Sequence, residues 1–307
     1  MAKPLVIYHS NCTDGFGAAF AAWLQLGDEA EYVPCNYGPQ QQQVIDTYDF
    51  TDRDVYVLDF NFSKTDTMYI IEEAARFIWL DHHKTAFESW IGAVPEWGTH
   101  TELTDKRWIQ LDNNKSGALL AWNYFRSNKQ QDALLINHID DYDRWVFAMQ
   151  GTRELHAALN ARRPWSFEQW ATLWTPSSMK QLYVEGEAIL RAHNSQVDST
   201  FKNARKCRIP LHKDGDFGGT PEYAEGLVCN GLPFLTSDLG HKLANESNTY
   251  GLVWYIAREG KVRCSLRSNG EYDVSAIAKL FGGGGHKNAA GFEVELASLL
   301  SWMSYTE

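Results

Sequence analysis

Three short apolar runs in this chain each stop at a residue able to bind a metal, and that repetition constrains the fold more than any other feature. Leu5-Val6-Ile7-Tyr8 ends in His9 and is followed by Asn11-Cys12-Thr13-Asp14-Gly15. Val55-Tyr56-Val57-Leu58 ends in Asp59, and Phe77-Ile78-Trp79-Leu80 ends in Asp81-His82-His83. Apolar runs without polar alternation read as buried strands. The carboxyl edge of an open α/β sheet is where such folds place their ligands. A carboxylate followed by two imidazoles offers hard oxygen and borderline nitrogen donors at one strand end, a mixture suited to Mn2+, Fe2+ or Zn2+.

The spacing predicts strands at 5–9, 31–36, 54–60 and 77–81. Between them it predicts helices from Gly15 to Leu26, from Gln40 to Tyr48, and from an N-capping Ser63 to about Arg76. Such βαβα alternation implies an α/β domain with a mostly parallel sheet covered by helices. Further helices are expected from Lys115 to Arg126 and from Gln130 to Ile139, ending at the acidic knot Asp140-Asp141-Tyr142-Asp143. Residues 151–205 read as helical, broken at Pro164 and Pro176, with Met179 to Arg205 as a long connecting helix. A second unit begins near Cys207, with strands at 223–230, 250–257 and 261–267 and helices at 236–246 and 273–281. The expected organisation is therefore a domain at 1–178, a connecting helix at 179–205, and a smaller α/β domain with a mixed sheet at 206–307.

Charge narrows the partners. The net charge of −11 lies almost wholly before residue 205, whereas 258–287 is locally basic through Arg258, Lys261, Arg263, Arg267, Lys279 and Lys287. A long-duplex binder would show a broad basic face; a small basic site beside an acidic, metal-seeking half suits a small phosphorylated substrate. No apolar run approaches the ~20 residues that span a bilayer. The start, MAKPLVIYHS, shows no signal-peptide pattern. Five cysteines without a CxxC pair suit a reducing cytosol, so a cytoplasmic location is expected. Nothing in the sequence sets the oligomeric state.

Five segments taken together, HSNCTDGFGAA (9–19), VLDFNF (57–62), WLDHHKT (79–85), HIDDYDRW (138–145) and FGGGGHKNAAGF (281–292), resemble the DHH phosphoesterase superfamily. Their order and spacing are similar to the smaller members, bacterial oligoribonucleases among them, across nearly the whole chain. The last segment resembles the signature of the DHH-associated C-terminal domain. The resemblance implies a two-domain enzyme with a dinuclear centre, usually of Mn2+, that hydrolyses phosphoester or phosphoanhydride bonds in a cleft between the domains.

That chemistry needs a nucleophile at neutral pH and a sink for negative charge. Two cations ~3.5–4 Å apart supply both. A carboxylate must bridge them, and Asp59 is the candidate. By resemblance, His9 and Asp59 serve one ion, while Asp14, Asp59, His82 and an acid of the knot serve the other. Of Asp140, Asp141 and Asp143, the following Arg144-Trp145 makes Asp141 the best match. His83 is expected near the leaving group or orienting a ligand, so His83 and Asp59 are the catalytic candidates. The family commonly carries an Asp where this chain has Cys12. Either Cys12 is a thiolate ligand that shifts preference towards Zn2+ or Fe2+, or it is a packing residue and the first site is weak or missing.

On the substrate side, Gly283, Gly284 and Gly285 could turn free N–H groups towards an anion. His286 and Lys287 add charge, and Asn288-Ala289-Ala290-Gly291 could open a helix whose N-terminus favours phosphate. Arg267-Ser268 matches a family position that contacts substrate, and Arg suits bidentate phosphate recognition. Ser116-Gly117 reads as a helix cap. Phe281, Phe292 and Tyr272 read as core. The expected function is a metal-dependent phosphodiesterase of short oligoribonucleotides or similar small nucleotides. Alternatives are a cyclic-dinucleotide phosphodiesterase, a bisphosphonucleotide phosphatase, a pyro- or polyphosphatase, or a non-catalytic nucleotide-binding relative.

Overall fold

The computed structural model describes residues 2–93, 98–126, 133–211, 223–258, 260–270 and 272–303. The chain divides into two compact units, Met1–Leu190 and Arg191–Glu307.

The first unit opens with β1 (Leu5–His9), α1 (Thr13–Leu26), β2 (Glu31–Cys35), α2 (Pro39–Thr47), β3 (Asp54–Leu58), α3 (Lys64–Glu73) and β4 (Arg76–Asp81). It continues through α4 (Lys84–Ile91), β5 (Thr99–Leu103), β6 (Arg107–Asp112), α5 (Gly117–Phe125), α6 (Leu134–Asp143), α7 (Thr152–Ala161) and α8 (Phe167–Ala171) to α9 (Pro176–Phe201). The strands form one sheet in the order β2-β1-β3-β4-β6-β5, parallel throughout except for β5 at the edge.

The reason those strands are continuously apolar is visible in the two cores. Val6, Tyr8, Leu58, Ile78 and Leu80 pack on one face with α1, α5 and α6. Leu5, Ile7, Val55, Val57, Phe77 and Trp79 pack on the other with Val44, Ile70 and Phe87. Alternate side chains point to opposite faces of a strand, so a sheet covered on both sides has no solvent-facing position for a polar residue. From β1 the chain moves outward to β2, then returns to lay β3 on the other side of β1. That reversal opens a crevice at the carboxyl ends of β1 and β3.

Several boundaries differ from the sequence expectation. β3 stops at Leu58 rather than residue 60, because Asp59 adopts a left-handed conformation, φ +54°. Pro176 starts α9 instead of breaking a helix, since a proline at the first helical position gives up no needed N–H. Of the expected helix from Gln130, residues 130–132 lie outside the described residues.

The second unit contains β7 (Arg205–Pro210), β8 (Tyr223–Asn230), α10 (Thr236–Ser247), β9 (Tyr250–Ile256), β10 (Val262–Ser268), α11 (Val274–Leu280), β11 (Gly284–His286), β12 (Ala289–Val294) and α12 (Leu296–Met303). Its mixed sheet runs β11-β12-β10-β9-β8-β7, with β8 and β9 the parallel pair. Phe281 stacks on Phe292, ring centroids 4.9 Å apart, and both lie against Trp302. These aromatics belong to the core.

The segment 288–291 does not open a helix. Ala289–Val294 is a strand paired antiparallel with both β10 and β11. The glycines before it serve that hairpin. A Cβ on Gly285, at φ +140°, would lie 2.5 Å from the Ala289 carbonyl oxygen. Gly283 donates its N–H group to Ala278 O, which removes it from the expected anion nest.

Candidate metal centre

The carboxyl ends of β1, β3 and β4 are adjacent because the strands are, and they bring His9, Asp59, Asp81, His82 and His83 into one place. Asp59 is held by its backbone: its N–H donates to Leu80 O at 2.9 Å while its left-handed φ turns the side chain off the strand line. Such a conformation is uncommon for a residue with a Cβ and persists where surrounding structure enforces it. Trp79 contributes by donating its indole N–H to Phe60 O at 2.9 Å.

Asp14 arrives from the first turn of α1. Its two oxygens accept N–H groups from Gly117 and Ala118 at 2.8 and 2.9 Å, so the start of α5 clamps the carboxylate in place. Ser116 caps α5 by accepting the Leu119 N–H, as the sequence suggests. Cys12 is the N-cap of α1, with Sγ accepting Gly15 N–H at 3.1 Å.

Around Asp59 the donors fall into two sets. On one side His9 Nδ1, Cys12 Sγ and Asp59 Oδ2 lie 3.6 Å from one another in each pairing. On the other, His82 Nε2 lies 3.1 Å from Asp59 Oδ1, 3.5 Å from Asp14 Oδ2 and 3.4 Å from Asp143 Oδ2. His83 Nδ1 is 3.7 Å from Asp59 Oδ1 and 2.7 Å from Asp81 Oδ1.

The acid of the knot that joins this site is Asp143, not Asp141. Asp141 faces the following turn, where its oxygens accept N–H from Ala148 at 2.7 Å and Met149 at 3.0 Å and the Thr152 hydroxyl at 2.6 Å. These bonds hold the carboxyl below its ordinary range even though burial opposes them. Asp140 is engaged by Ser116 N–H and by Arg144. Asp81, the carboxylate that the sequence sets before the two imidazoles, is absent from the ligand set that the resemblance implies. It is fully buried, and its Oδ1 accepts the backbone N–H of His82 and His83 while contacting the His83 ring, which fixes both imidazoles. A carboxylate directly before two histidines is the signal for that arrangement.

Asp14 and Asp59 are each 1% exposed and share His82. Burial, then Asp59 and Asp143, pushes Asp14 well above the usual carboxylate range. Burial would raise Asp59 too, but the His82 and His9 imidazoles hold it well below. His82 is disfavoured as a cation by burial yet pushed up by Asp59, Asp143 and Asp14. Burial, then Asp59 and Asp14, pushes the Cys12 thiol up, so it keeps its proton without a cation. Asp59 Oδ1 is buried beside the imidazoles of His82, at 3.1 Å, and His83, at 3.7 Å. A buried cluster of carboxylates costs several kcal/mol unless positive charge meets it. The donor set fits divalent cations.

In the second unit, Arg267 ends β10 with its guanidinium donating to Leu266 O at 2.8 Å and Ser237 Oγ at 3.1 Å. Ser268 donates N–H and Oγ–H to Asn288, and Val274 N–H donates to Lys287 O, so Arg267-Ser268 and the turn at 287–288 form one corner. Lys287 is exposed there. The His286 side chain lies outside the described residues.

A two-unit α/β protein with a carboxylate–imidazole cluster at the switch point of its parallel sheet is thereby defined. Residues 237–301 match the DHHA1 domain family. The second unit therefore carries a DHHA1 domain. Over 303 residues it is 30% identical to uncharacterized protein R106 of Acanthamoeba polyphaga mimivirus, covering 94% of this chain and 66% of that protein. Among solved structures it is similar in fold to exonuclease RecJ bound to manganese, with 12% identity, TM-score 0.50, and coverage of 98% of this chain and 88% of that one. A pGpG-specific phosphodiesterase, PggH from Vibrio cholerae, matches with 13% identity, TM-score 0.47, and coverage of 96% and 94%. No helix among the described residues is long and apolar enough to cross a membrane.

Proposed function

We propose that this chain is a metal-dependent phosphodiesterase acting on short oligoribonucleotides or other small nucleotide phosphoesters. The observation that carries the reading is Asp59. One buried carboxylate meets His9 and Cys12 through Oδ2 and His82 through Oδ1, and His82 in turn lies within 3.5 Å of Asp14 and Asp143. Two divalent cations bound there would supply a nucleophilic water at neutral pH and a clamp on the phosphoryl oxygens.

The chain's own residues do the rest. Asp14, fixed by the α5 amides, and Asp59, fixed by its left-handed backbone, hold their oxygens in place without rearrangement. Asp81 holds the His83 ring beside them, where the imidazole is positioned to hand a proton to a departing ribose oxygen. In the second unit, Arg267 and Lys287 form a basic corner whose chemistry suits phosphate groups. The net charge of −11 supports a small substrate over a long duplex. RecJ, whose fold the chain shares, is an exonuclease seen with bound manganese, and that chemistry is consistent with this reading.

The test is a substrate panel with Mn2+ and with Zn2+: ribodinucleotides, a cyclic dinucleotide, 3′,5′-bisphosphoadenosine and pyrophosphate. Fastest turnover is expected on the linear dinucleotides. A preference for pyrophosphate, or no hydrolysis of any member by metal-loaded protein, would reject the assignment.

A further inference from the structure

We infer that the two halves of this centre are built for different cations. His9, Cys12 and Asp59 form a thiolate-containing site for Zn2+ or Fe2+, and Asp14, His82 and Asp143 form an oxygen-rich site for an ion of the Mn2+ type. The inference rests on the metal-centre reading above and extends it to the identity of each ion.

The first observation is spacing. His9 Nδ1, Cys12 Sγ and Asp59 Oδ2 make a triangle with all three edges 3.6 Å. Bonds of ~2.3 Å to sulfur and ~2.0–2.2 Å to nitrogen and oxygen give a tetrahedral site edges of about 3.3–3.6 Å. The triangle thus has the size that one ion with a sulfur, a nitrogen and an oxygen ligand spans.

The second observation concerns the cysteine. Cys35, Cys207, Cys229 and Cys264 are buried members of hydrophobic clusters. Cys12 is half-buried, belongs to none of them, and turns Sγ towards a histidine nitrogen and a carboxylate oxygen. A packing residue would show the opposite pattern.

The donors then separate the ions. A thiolate and an imidazole favour Zn2+ or Fe2+ over Mn2+, whereas two carboxylates and one imidazole suit a harder ion. When a cation binds at Cys12, the sulfur–metal bond replaces the S–H bond and the proton leaves to solvent.

The test uses the full chain, stripped with chelator and reloaded. Co2+ serves as a spectroscopic probe, because a cobalt–thiolate bond gives a charge-transfer band in the near ultraviolet that nitrogen and oxygen ligands do not. Elemental analysis after loading with equal Zn2+ and Mn2+ gives the occupancy of each ion. Wild type is expected to show the band and to retain one Zn2+ per chain, with Mn2+ exchanging at the second position. Cys12→Ser should lose the band and at least about tenfold in Zn2+ affinity. Cys12→Asp should lose the band but recover binding of two Mn2+. Circular dichroism confirms that each variant is folded. Bound Co2+ without a thiolate band, or a Cys12→Ser protein with unchanged Zn2+ affinity, overturns this inference alone. Failure of wild type to bind any divalent cation overturns both it and the metal-centre reading.

Discussion

Gly117 stands so close to Asp59 that a Cβ built on it would lie 2.3 Å from the Asp59 Cβ and 2.6 Å from its Oδ1. The first residue of α5 must be glycine for that helix to reach Asp14 with its N–H groups while leaving Asp59 in place. Gly117→Ala is expected to push either the helix or the carboxylate aside. Overpacking of this kind costs about 1–3 kcal/mol, or a fall in Tm of roughly 2–12 °C for a domain of this size. Thermal melts with and without Mn2+ should show that drop and a smaller metal-induced gain. A variant with wild-type Tm and wild-type metal response would show that the contact relaxes freely.

Asp141 and Asp143 should respond in opposite ways. Asp141→Ala removes three hydrogen bonds from the turn at 148–152 and is expected to lower stability by about 1–3 kcal/mol while leaving metal content unchanged. Asp143→Asn should reduce occupancy at the His82 site with little change in stability, since the Asp143 side chain is 33% exposed. Metal analysis beside denaturant titration separates the two, and loss of metal in the Asp141 variant would return it to the ligand set.

The acidic knot shows where sequence reading stops. Strand ends are legible because β1, β3 and β4 are apolar on both faces, so the first polar residue after each marks the sheet edge. The choice among Asp140, Asp141 and Asp143 depends on how α6 is rotated, and three acids within four residues offer every direction at once. Similarly, Thr99–Leu103 gives no strand signal, because an edge strand with polar residues on both sides carries no apolar run. Asn288-Ala289-Ala290-Gly291 reads as a helix start because small residues show no period; pairing with β10, far away in sequence, makes it a strand.

His156 predicts an acid-sensitive fold. Burial, followed by Arg163 and Arg153, pushes it down to about 3, and its ring stacks parallel on Tyr142 beside Thr13. The folded chain therefore keeps this histidine neutral, whereas the unfolded chain protonates it near 6.5. Stability is fully present above that value and is lost as pH falls from about 6.5 towards 3, by at most about 1.4 kcal/mol per pH unit. Denaturant titrations of chelator-treated protein should show wild type losing stability faster than His156→Gln across that window. Parallel curves would mean that His156 takes up its proton without unfolding.

Arg267 should act on substrate and not on metal. Its stem packs over Gly240 and its guanidinium is anchored by Leu266 and Ser237, so the charge is held ready at the strand end. Arg267→Ala is expected to lower kcat/KM by about 30–150-fold, the equivalent of one charged hydrogen bond of ~2–3 kcal/mol. Arg267→Lys should recover only part of it, because an ammonium cannot reproduce the planar fork. Steady-state kinetics on a dinucleotide, with metal content measured on the same samples, decides the matter. Unchanged kcat/KM would remove Arg267 from the substrate site.

Asp59→Asn tests the centre most directly, because the substitution keeps shape and removes one charge. In the cation-free protein the effects of that change oppose one another: the cost of a buried carboxylate is relieved, while its pairing with His9 and His82 is lost. A modest change in Tm is expected there. With metal present the balance is different, since an amide brings no charge to either cation. Metal at 100 times its Kd stabilises a binding protein by about 2.7 kcal/mol, and that increment should vanish in Asp59→Asn. Hydrolysis should fall at least about a hundredfold, as both donor sets lose their shared member. A folded Asp59→Asn protein that keeps its metal-induced stabilisation and near-normal turnover would show that the two oxygens of Asp59 do not join two ions.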